Sequence, residues 1–166
     1  MILIRAADGI TKTLMVLAAA WAFVLCFFIL ADIVARAVNM PLQGTKEIVA
    51  NSVVMIVFLQ VGFAVRSGAM LRTDFLTGML GPNAQKVLTI VGLILGAAFF
   101  LFLAKAGIVP AERSFNNGEF DGEGALRVPV WPARFTIIFG SALASLNYVL
   151  LAVIEILGRT EELRLK

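Results

Sequence analysis

The stretch Leu14–Ala31, LMVLAAAWAFVLCFFILA, decides the fold because it contains no charged residue. A run of this length approaches the roughly 20 residues that a membrane-spanning helix needs. It is longer than the apolar core of a signal peptide, about 7–15 residues, and the following Asp32-Ile33-Val34 offers no small-x-small cleavage site. We therefore interpret the run as a retained membrane span.

Similar apolar runs recur along the rest of the chain. Because unpaired backbone groups are not tolerated in lipid, each run must be helical. The sequence thus predicts an all-α integral membrane protein, a single domain over residues 1–166 with four transmembrane helices. The predicted spans are 14–31, 48–65, 87–109 and 135–157. Apolar residues at helical spacing from Leu3 to Leu14 predict that the first helix begins before its apolar run, and Thr45 is a candidate N-cap for the second.

Composition agrees with membrane residence and excludes several function classes. Hydrophobic residues make up 60% of the chain and charged residues only 15%. The chain has no histidine and one cysteine, Cys26, so histidine-ligated haem or zinc, a Ser-His pair and an internal disulfide are excluded. We expect no enzyme activity, no catalytic residue, no cofactor and no metal. The basic residues are scattered along the chain, so we expect membrane lipids and no nucleic acid among its partners.

Lysine and arginine counts predict the orientation. Of the 14 basic residues, eight flank the spans on the side of the two termini, five lie in the other two connections, and Lys105 lies inside the third run. Because cytoplasmic segments are enriched in these residues, we expect both termini in the cytoplasm.

Two connections carry distinct patterns. The cytoplasmic connection from Arg66 to Lys86 predicts a short amphipathic helix on the membrane surface or against a partner, with one apolar face made of Leu71, Phe75, Leu76, Met79 and Leu80. We expect the external loop to run from Pro110 to Arg134. It contains four acidic residues that could touch a partner: Glu112, Glu119, Asp121 and Glu123.

Polar and small residues within the runs indicate how the helices pack. Lys105 lies about 7 Å of helix rise before Pro110, so its stem can reach the interface, or its ammonium can contact an acidic group or a lipid phosphate. We expect the third and fourth spans to pack closely through small-residue pairs, and polar residues to join helices. The pairs are Gly92 with Gly96, Gly140 with Ala144, and Ser141 with Ser145, and the polar residues are Asn51, Gln60 and Asn147.

The segment Thr45–Leu76 and the segment before the last run resemble a known family. The first reads TKEIVANSVVMIVFLQVGFAVRSGAMLRTDFL, with Glu47 opening the second span. Its end has the pattern Arg-x-Gly-x-x-x-Arg-x-Asp-x-Leu, formed by Arg66, Gly68, Arg72, Asp74 and Leu76. The second reads VPVWP and contains Pro129 and Trp131. Both resemble the small membrane subunit, of the DctQ type, of tripartite ATP-independent periplasmic (TRAP) transporters.

The resemblance implies a scaffold subunit in the bacterial inner membrane. Its partners would be a large membrane subunit of the DctM type and a periplasmic substrate-binding protein, which together import an organic acid with sodium. A C4-dicarboxylate, sialic acid or another carboxylate is the expected substrate. The resemblance further implies that Arg66, Arg72 and Asp74 form a cytoplasmic charge cluster that ties down the loop or docks on the partner. Pro129 and Trp131 would fix the entry of the last helix.

Other functions remain open at this point. The main alternative is a haem-free membrane-anchor subunit of another multisubunit complex, because small four-span anchors share this outline. The charge cluster could equally be ordinary topogenic charge. A self-sufficient small transporter would need an ionisable residue near the centre of a span, and a membrane enzyme would need a nucleophile or a metal set; the sequence offers neither.

Overall fold

Four long helices and one short hairpin make up the fold in the computed structural model. It describes residues 2–40, 42–67, 81–122 and 127–157, and leaves out the side chains of residues 2–6, 82 and 83. The elements are α1 (Ile2–Ala37), α2 (Thr45–Arg66), α3 (Pro82–Asn116), β1 (Phe120–Asp121), β2 (Val128–Pro129) and α4 (Trp131–Ile156). Each helix is long and apolar enough to cross a membrane. This confirms the predicted all-α membrane fold, while the predicted amphipathic helix falls in a segment outside the described residues.

Two of the helices are much longer than their apolar runs. Helix α1 has 36 residues and α3 has 35, which correspond to roughly 50 Å of rise each. The early start predicted for the first helix is confirmed. The expectation that the third helix gives way to a loop at Pro110 is wrong, because Pro110 lies inside α3 and the helix continues to Asn116. A proline removes one backbone hydrogen bond, a loss that membrane helices tolerate.

The start of α2 also differs from the expectation. Gly44 occupies the N-cap position with φ 78°, in the left-handed region that glycine adopts without strain. Thr45 is the first helical residue, and its hydroxyl donates a hydrogen bond to the Leu42 carbonyl at 3.0 Å. The predicted N-cap role of Thr45 is therefore wrong, because its hydroxyl turns back to the preceding connection.

The helices pack as a row. The most extensive contact joins α3 to α4, followed by α2 with α4 and α1 with α2. The spatial order is thus α1, α2, α4, α3, with α1 and α3 at the two edges. Helix α4 is accordingly the most buried of the four. Along the helix axes, the row has two ends. We call the end that holds the start of α1 and the end of α2 the terminal end. The opposite end, which carries the β-hairpin, is the hairpin end.

Small residues bring neighbouring helices together, although not all of the predicted pairs take part as expected. A Cβ on Gly96 would lie 2.8 Å from the ring of Tyr148, so this glycine belongs to the α3–α4 contact. Gly140 instead faces α2, where a Cβ would lie 2.9 Å from the Cβ of Phe58. Gly92 has nothing within 4 Å. Close packing of α3 on α4 is confirmed, but Gly92 takes no part in it and Gly140 serves the α2–α4 contact.

Candidate functional site

An ion pair joins α1 to α2 at the terminal end. Nε of Arg66 donates to Oδ1 of Asp8 at 2.6 Å, and Nη2 donates to Oδ2 at 3.4 Å. The Arg66 side chain is fully buried and that of Asp8 is 24% exposed. Nη1 of Arg66 is also buried and has no acceptor among the described residues. A guanidinium in this position needs a carboxylate, because a buried charge without a partner is costly.

This pair changes the interpretation of the predicted cytoplasmic cluster. Arg66 was expected to act with Arg72 and Asp74, yet its partner among the described residues is Asp8, on another helix. Gly68, Arg72 and Asp74 lie outside the described residues, so their roles stay predictions. Sequence reasoning missed Asp8, although an acidic residue just ahead of a long apolar run is a signal that could have drawn attention to it.

Side-chain amides and hydroxyls link the other neighbouring helices. Asn147, fully buried on α4, donates through Nδ2 to the Gly62 carbonyl of α2 at 3.2 Å. Ser145 of α4 donates to the Ala97 carbonyl of α3 at 2.9 Å. The prediction that Asn147 joins helices is confirmed. Together with the Asp8–Arg66 pair, these bonds connect all four helices in the order of the row.

A separate polar set holds the connection between α1 and α2 at the hairpin end. Asp32, buried at the end of α1, accepts from Nε of Arg36 at 2.8 Å and from the Leu42 backbone amide at 3.2 Å. Glu47 lies in the first turn of α2, as predicted, where the helix dipole favours a carboxylate. Asn51 donates to the Glu47 carbonyl at 3.1 Å and to Asp121 of the hairpin at 3.4 Å. The hairpin therefore touches α2 as well as the helices that it connects.

The entry to α4 is fixed by one arginine and an aromatic group. Nη2 of Arg134 lies 3.0 Å from Oε2 of Glu119, and Nη1 donates to the Pro110 carbonyl of α3 at 2.8 Å. The Glu119 carbonyl accepts from the Val130 amide at 3.2 Å. Arg134 thus ties α4 to both α3 and the hairpin. Sequence reasoning counted Arg134 and Glu119 as loop charges and did not pair them.

The last helix begins earlier than the predicted 135, so Trp131 lies at its start and not in the preceding loop, whereas Pro129 lies before the helix as predicted. Pro129 is in β2 opposite Phe120, and Trp131 is the first residue of α4. The Trp131 ring packs edge-to-face on Phe115 of α3, with ring centroids 5.6 Å apart, and on Phe135 at 6.3 Å. Such a group of large rings suits the membrane interface.

Lys105 is exposed on α3 and has no ion pair or hydrogen bond among the described residues. The predicted distance of about 7 Å from Lys105 to the end of its helix is wrong, because α3 continues past Pro110 to Asn116 and the residue lies 11 positions, about 16 Å of rise, from that end. The described residues also contain no group of three or more histidine, cysteine, aspartate or glutamate side chains that could hold a metal ion. Several of their polar side chains, including those of Arg66, Asn147 and Arg134, connect one element to another.

This geometry can be set against known families. Residues 25–158 match the family model described as "Tripartite ATP-independent periplasmic transporters, DctQ component". The chain belongs to the DctQ family. Comparison with curated proteins and with solved structures gives no match.

Membership confirms the resemblance read from the sequence and places the chain in a family of transporter components, which is not an enzyme class. With four membrane-length helices, the chain is a multi-pass membrane protein and the small membrane component of a TRAP system. The match begins at Leu25 and includes Arg66, Asn147 and Arg134. Asp8, the partner of Arg66, lies before the matched region.

Proposed function

We propose that this DctQ chain is the fixed scaffold of a sodium-driven transporter that imports an organic acid across the bacterial inner membrane. Its partners are a large membrane subunit of the DctM type, which moves the substrate, and a periplasmic binding protein, which delivers it. C4-dicarboxylates, sialic acid and other carboxylates are the candidate substrates. Both termini face the cytoplasm, and the hairpin end faces the periplasm.

The observation that carries the proposal is the chain of polar contacts across the row. Arg66 with Asp8 joins α1 to α2, Asn147 joins α4 to α2, and Ser145 joins α4 to α3. Hydrogen bonds between membrane helices hold them in one arrangement. Side chains that hold helices together suit a subunit that does not move during transport. Recognition of the carboxylate substrate then belongs to the partner chains.

Exposed apolar surface gives further support. Both edge helices present large side chains outward, among them Phe23 and Phe27 of α1 and Phe99 and Phe102 of α3, each more than half exposed. In a membrane such surface is covered by lipid or by another membrane protein. A row of helices with two long free edges offers a large contact area to a bigger subunit.

Reconstituted uptake tests this proposal. The small subunit, the large subunit and the binding protein are placed in vesicles together, and the uptake of radiolabelled succinate and radiolabelled sialic acid is followed under a sodium gradient. We expect uptake of at least one acid only when all three proteins and the gradient are present, with potassium in place of sodium as the control. Sodium-driven flux from the small subunit alone, or full flux without it, would contradict the assignment.

A further inference from the structure

Lys105 lies near the middle of an otherwise apolar surface, the outer face of α3. This face is formed by side chains that point away from α4, and its exposed members include Ile94, Leu101, Phe102, Lys105, Ile108 and Val109. Phe102 is 72% exposed and Val109 is 61% exposed. Between Val87 and Val109 the only charge on α3 is Lys105.

Contacts between helices show how deep this charge lies. A Cβ on Gly107 would lie 3.0 Å from Cγ1 of Ile138, so these two residues are at the same level of α3 and α4. Two residues further along each antiparallel helix, Lys105 is level with Gly140, which packs on Phe58 of α2. Phe58 is about 12 Å of rise from Arg66 at one end of α2 and about 16 Å from Glu47 at the other. Lys105 is therefore close to mid-membrane.

The direction of the Lys105 side chain affects whether its ammonium can reach the membrane surface. In an α-helix the bond from Cα to Cβ tilts toward the amino terminus of the helix. For α3 that direction leads to the terminal end, where the level of Arg66 is about 12 Å of rise away, and away from the hairpin end, where the level of Glu47 is about 16 Å away. A lysine stem that snorkels toward the hairpin end must work against this tilt. Ionisable side chains at such depth normally face protein or a water-filled cavity.

Three arginines on the described helices have carboxylate partners close by. Arg66 pairs with Asp8, and Arg134 pairs with Glu119. Arg36 pairs with Asp32. An acceptor for Lys105 must come from another molecule or from chain outside the described residues. The surrounding apolar face, free along the edge of the row, is suited to a membrane helix that brings this acceptor.

We propose that the outer face of α3 docks on the large membrane subunit, which presents a carboxylate to Lys105 in mid-membrane. This inference rests on the proposed function, because it names the surface through which the scaffold meets its partner. The apolar side chains around Lys105 pack on the partner helix and exclude lipid. The ion pair fixes the register of that contact, since only one axial position brings the two charges together.

Substitution of Lys105 distinguishes a protein partner from lipid. The large subunit is captured on tagged variants of the small subunit in mild detergent, and the apparent Kd is measured. We expect Lys105→Met to raise the Kd about tenfold or more, because the partner's carboxylate then stays buried without a counter-charge, and Lys105→Arg to restore most of the affinity. Lys12→Met, the same exchange at an exposed lysine of α1 outside this face, is the matched control and should leave the Kd near the wild-type value.

A lysine that merely faces lipid gives the opposite pattern. Removing the charge then lowers the free-energy cost of placing α3 in lipid. Lys105→Met would therefore leave the Kd unchanged, or raise the yield of the chain. That result would overturn the proposal. The yield of each variant in membranes, measured without the large subunit, shows that the Kd is measured on chains that insert equally.

A photoreactive residue in place of Phe102 provides an independent test. In native membranes we expect light to join it to the large subunit, giving one band at the combined mass, and the band should weaken when Lys105→Met is added. Adducts with lipid alone, in a complex that otherwise co-purifies, would overturn this inference and leave the proposed function intact. If wild-type chain and large subunit do not co-purify at all, the proposed function itself fails.

Discussion

At the scale of single residues, the Asp8–Arg66 pair sets how α1 meets α2. The guanidinium is fully buried, so it depends on a carboxylate partner, which among the described residues is Asp8. Thr11, also fully buried on α1, bonds to the backbone carbonyls of its own helix at Ala7 and Asp8. Arg66 and Asp8 thus form the ion pair of the α1–α2 contact. Breaking this pair should weaken that contact first.

We predict that Asp8→Asn destabilises the isolated subunit. Breaking a buried ion pair from one side leaves an uncompensated charge and costs about 3–5 kcal/mol in the most buried cases, less where one partner is partly exposed as Asp8 is. The expected result is a lower midpoint temperature of thermal unfolding in detergent. The loss of helical circular dichroism on heating measures this midpoint. Lys12→Ala, which removes an exposed charge one turn away, is the matched control and should change little.

A double-mutant cycle sharpens this prediction. Asp8→Asn and Arg66→Gln together should cost much less than the sum of the single changes, with a coupling of about 1–3 kcal/mol. Additive effects would show that the two side chains contribute independently and would contradict the ion pair. Such a pairing could not be read from the sequence, because it depends on the rotation of two helices whose contacting residues are 58 positions apart.

At the scale of elements, glycine positions decide how closely the inner helices approach. Gly140 faces the backbone of α2 at Phe58, whereas Gly92, on the adjacent helix α3, faces open space. The same glycine-to-alanine exchange should therefore have opposite effects on stability at the two sites. An added methyl group at Gly140 must push α4 away from α2, because the atoms that it meets include backbone.

We predict that Gly140→Ala lowers the stability of the isolated subunit and that Gly92→Ala does not. Overpacking costs about 1–3 kcal/mol, more than the gain of up to about 1 kcal/mol that alanine brings in a helix. At Gly92 only that gain applies. Thermal midpoints of the two variants in the same detergent provide the measurement, and equal midpoints would contradict the α2–α4 contact described above.

The hairpin and the start of α4 form another element-scale unit. Arg134 is 32% exposed, so we expect Arg134→Ala to cost only about 1 kcal/mol. Because Arg134 fixes Glu119, whose carbonyl accepts from Val130, the Val130 amide should exchange with deuterium about fivefold faster in the variant. Arg113→Ala, at an exposed arginine near the end of α3, is the control. Unchanged exchange in Arg134→Ala would show that the hairpin is held by other contacts.

The apolar runs were sufficient to predict the helices but not their ends. Each run is long enough to span lipid, so helix is the only structure that satisfies its backbone. The flanking polar residues carry no such constraint, and α1 and α3 extend through them by several turns. Pro110 looked like a helix end because proline removes a hydrogen bond, yet the helix absorbs that loss. The position of Thr45 was misjudged because a glycine precedes it and adopts the turn.

At the scale of the whole molecule, the row α1, α2, α4, α3 has two long edges that no other described residue covers. A compact four-helix bundle buries the apolar faces of all its helices, whereas this row fully surrounds none of them and covers α4 most. Hydropathy predicts the number of helices but not their spatial order, since order follows from which faces fit together. The row therefore emerges only from the structure, and with it the outer face of α3.

Orientation is the first whole-molecule prediction. We expect a carboxyl-terminal green fluorescent protein to fluoresce and a carboxyl-terminal alkaline phosphatase to be inactive, because basic residues favour a cytoplasmic terminal end. In a chain carrying Cys26→Ser, Asn117→Cys should react with a membrane-impermeant maleimide added to intact spheroplasts. An active phosphatase fusion together with a protected Cys at this position would show that the orientation is the opposite one.

The central claim is that this chain works as a scaffold bound to a larger membrane subunit. It is tested most directly by purifying the tagged chain, at native levels and in mild detergent, from cells that also express the large subunit of the same transporter. We expect the two proteins to migrate together through size exclusion as one complex of fixed stoichiometry. A stable, solitary small subunit, with the large subunit eluting separately and in an active state, would contradict it.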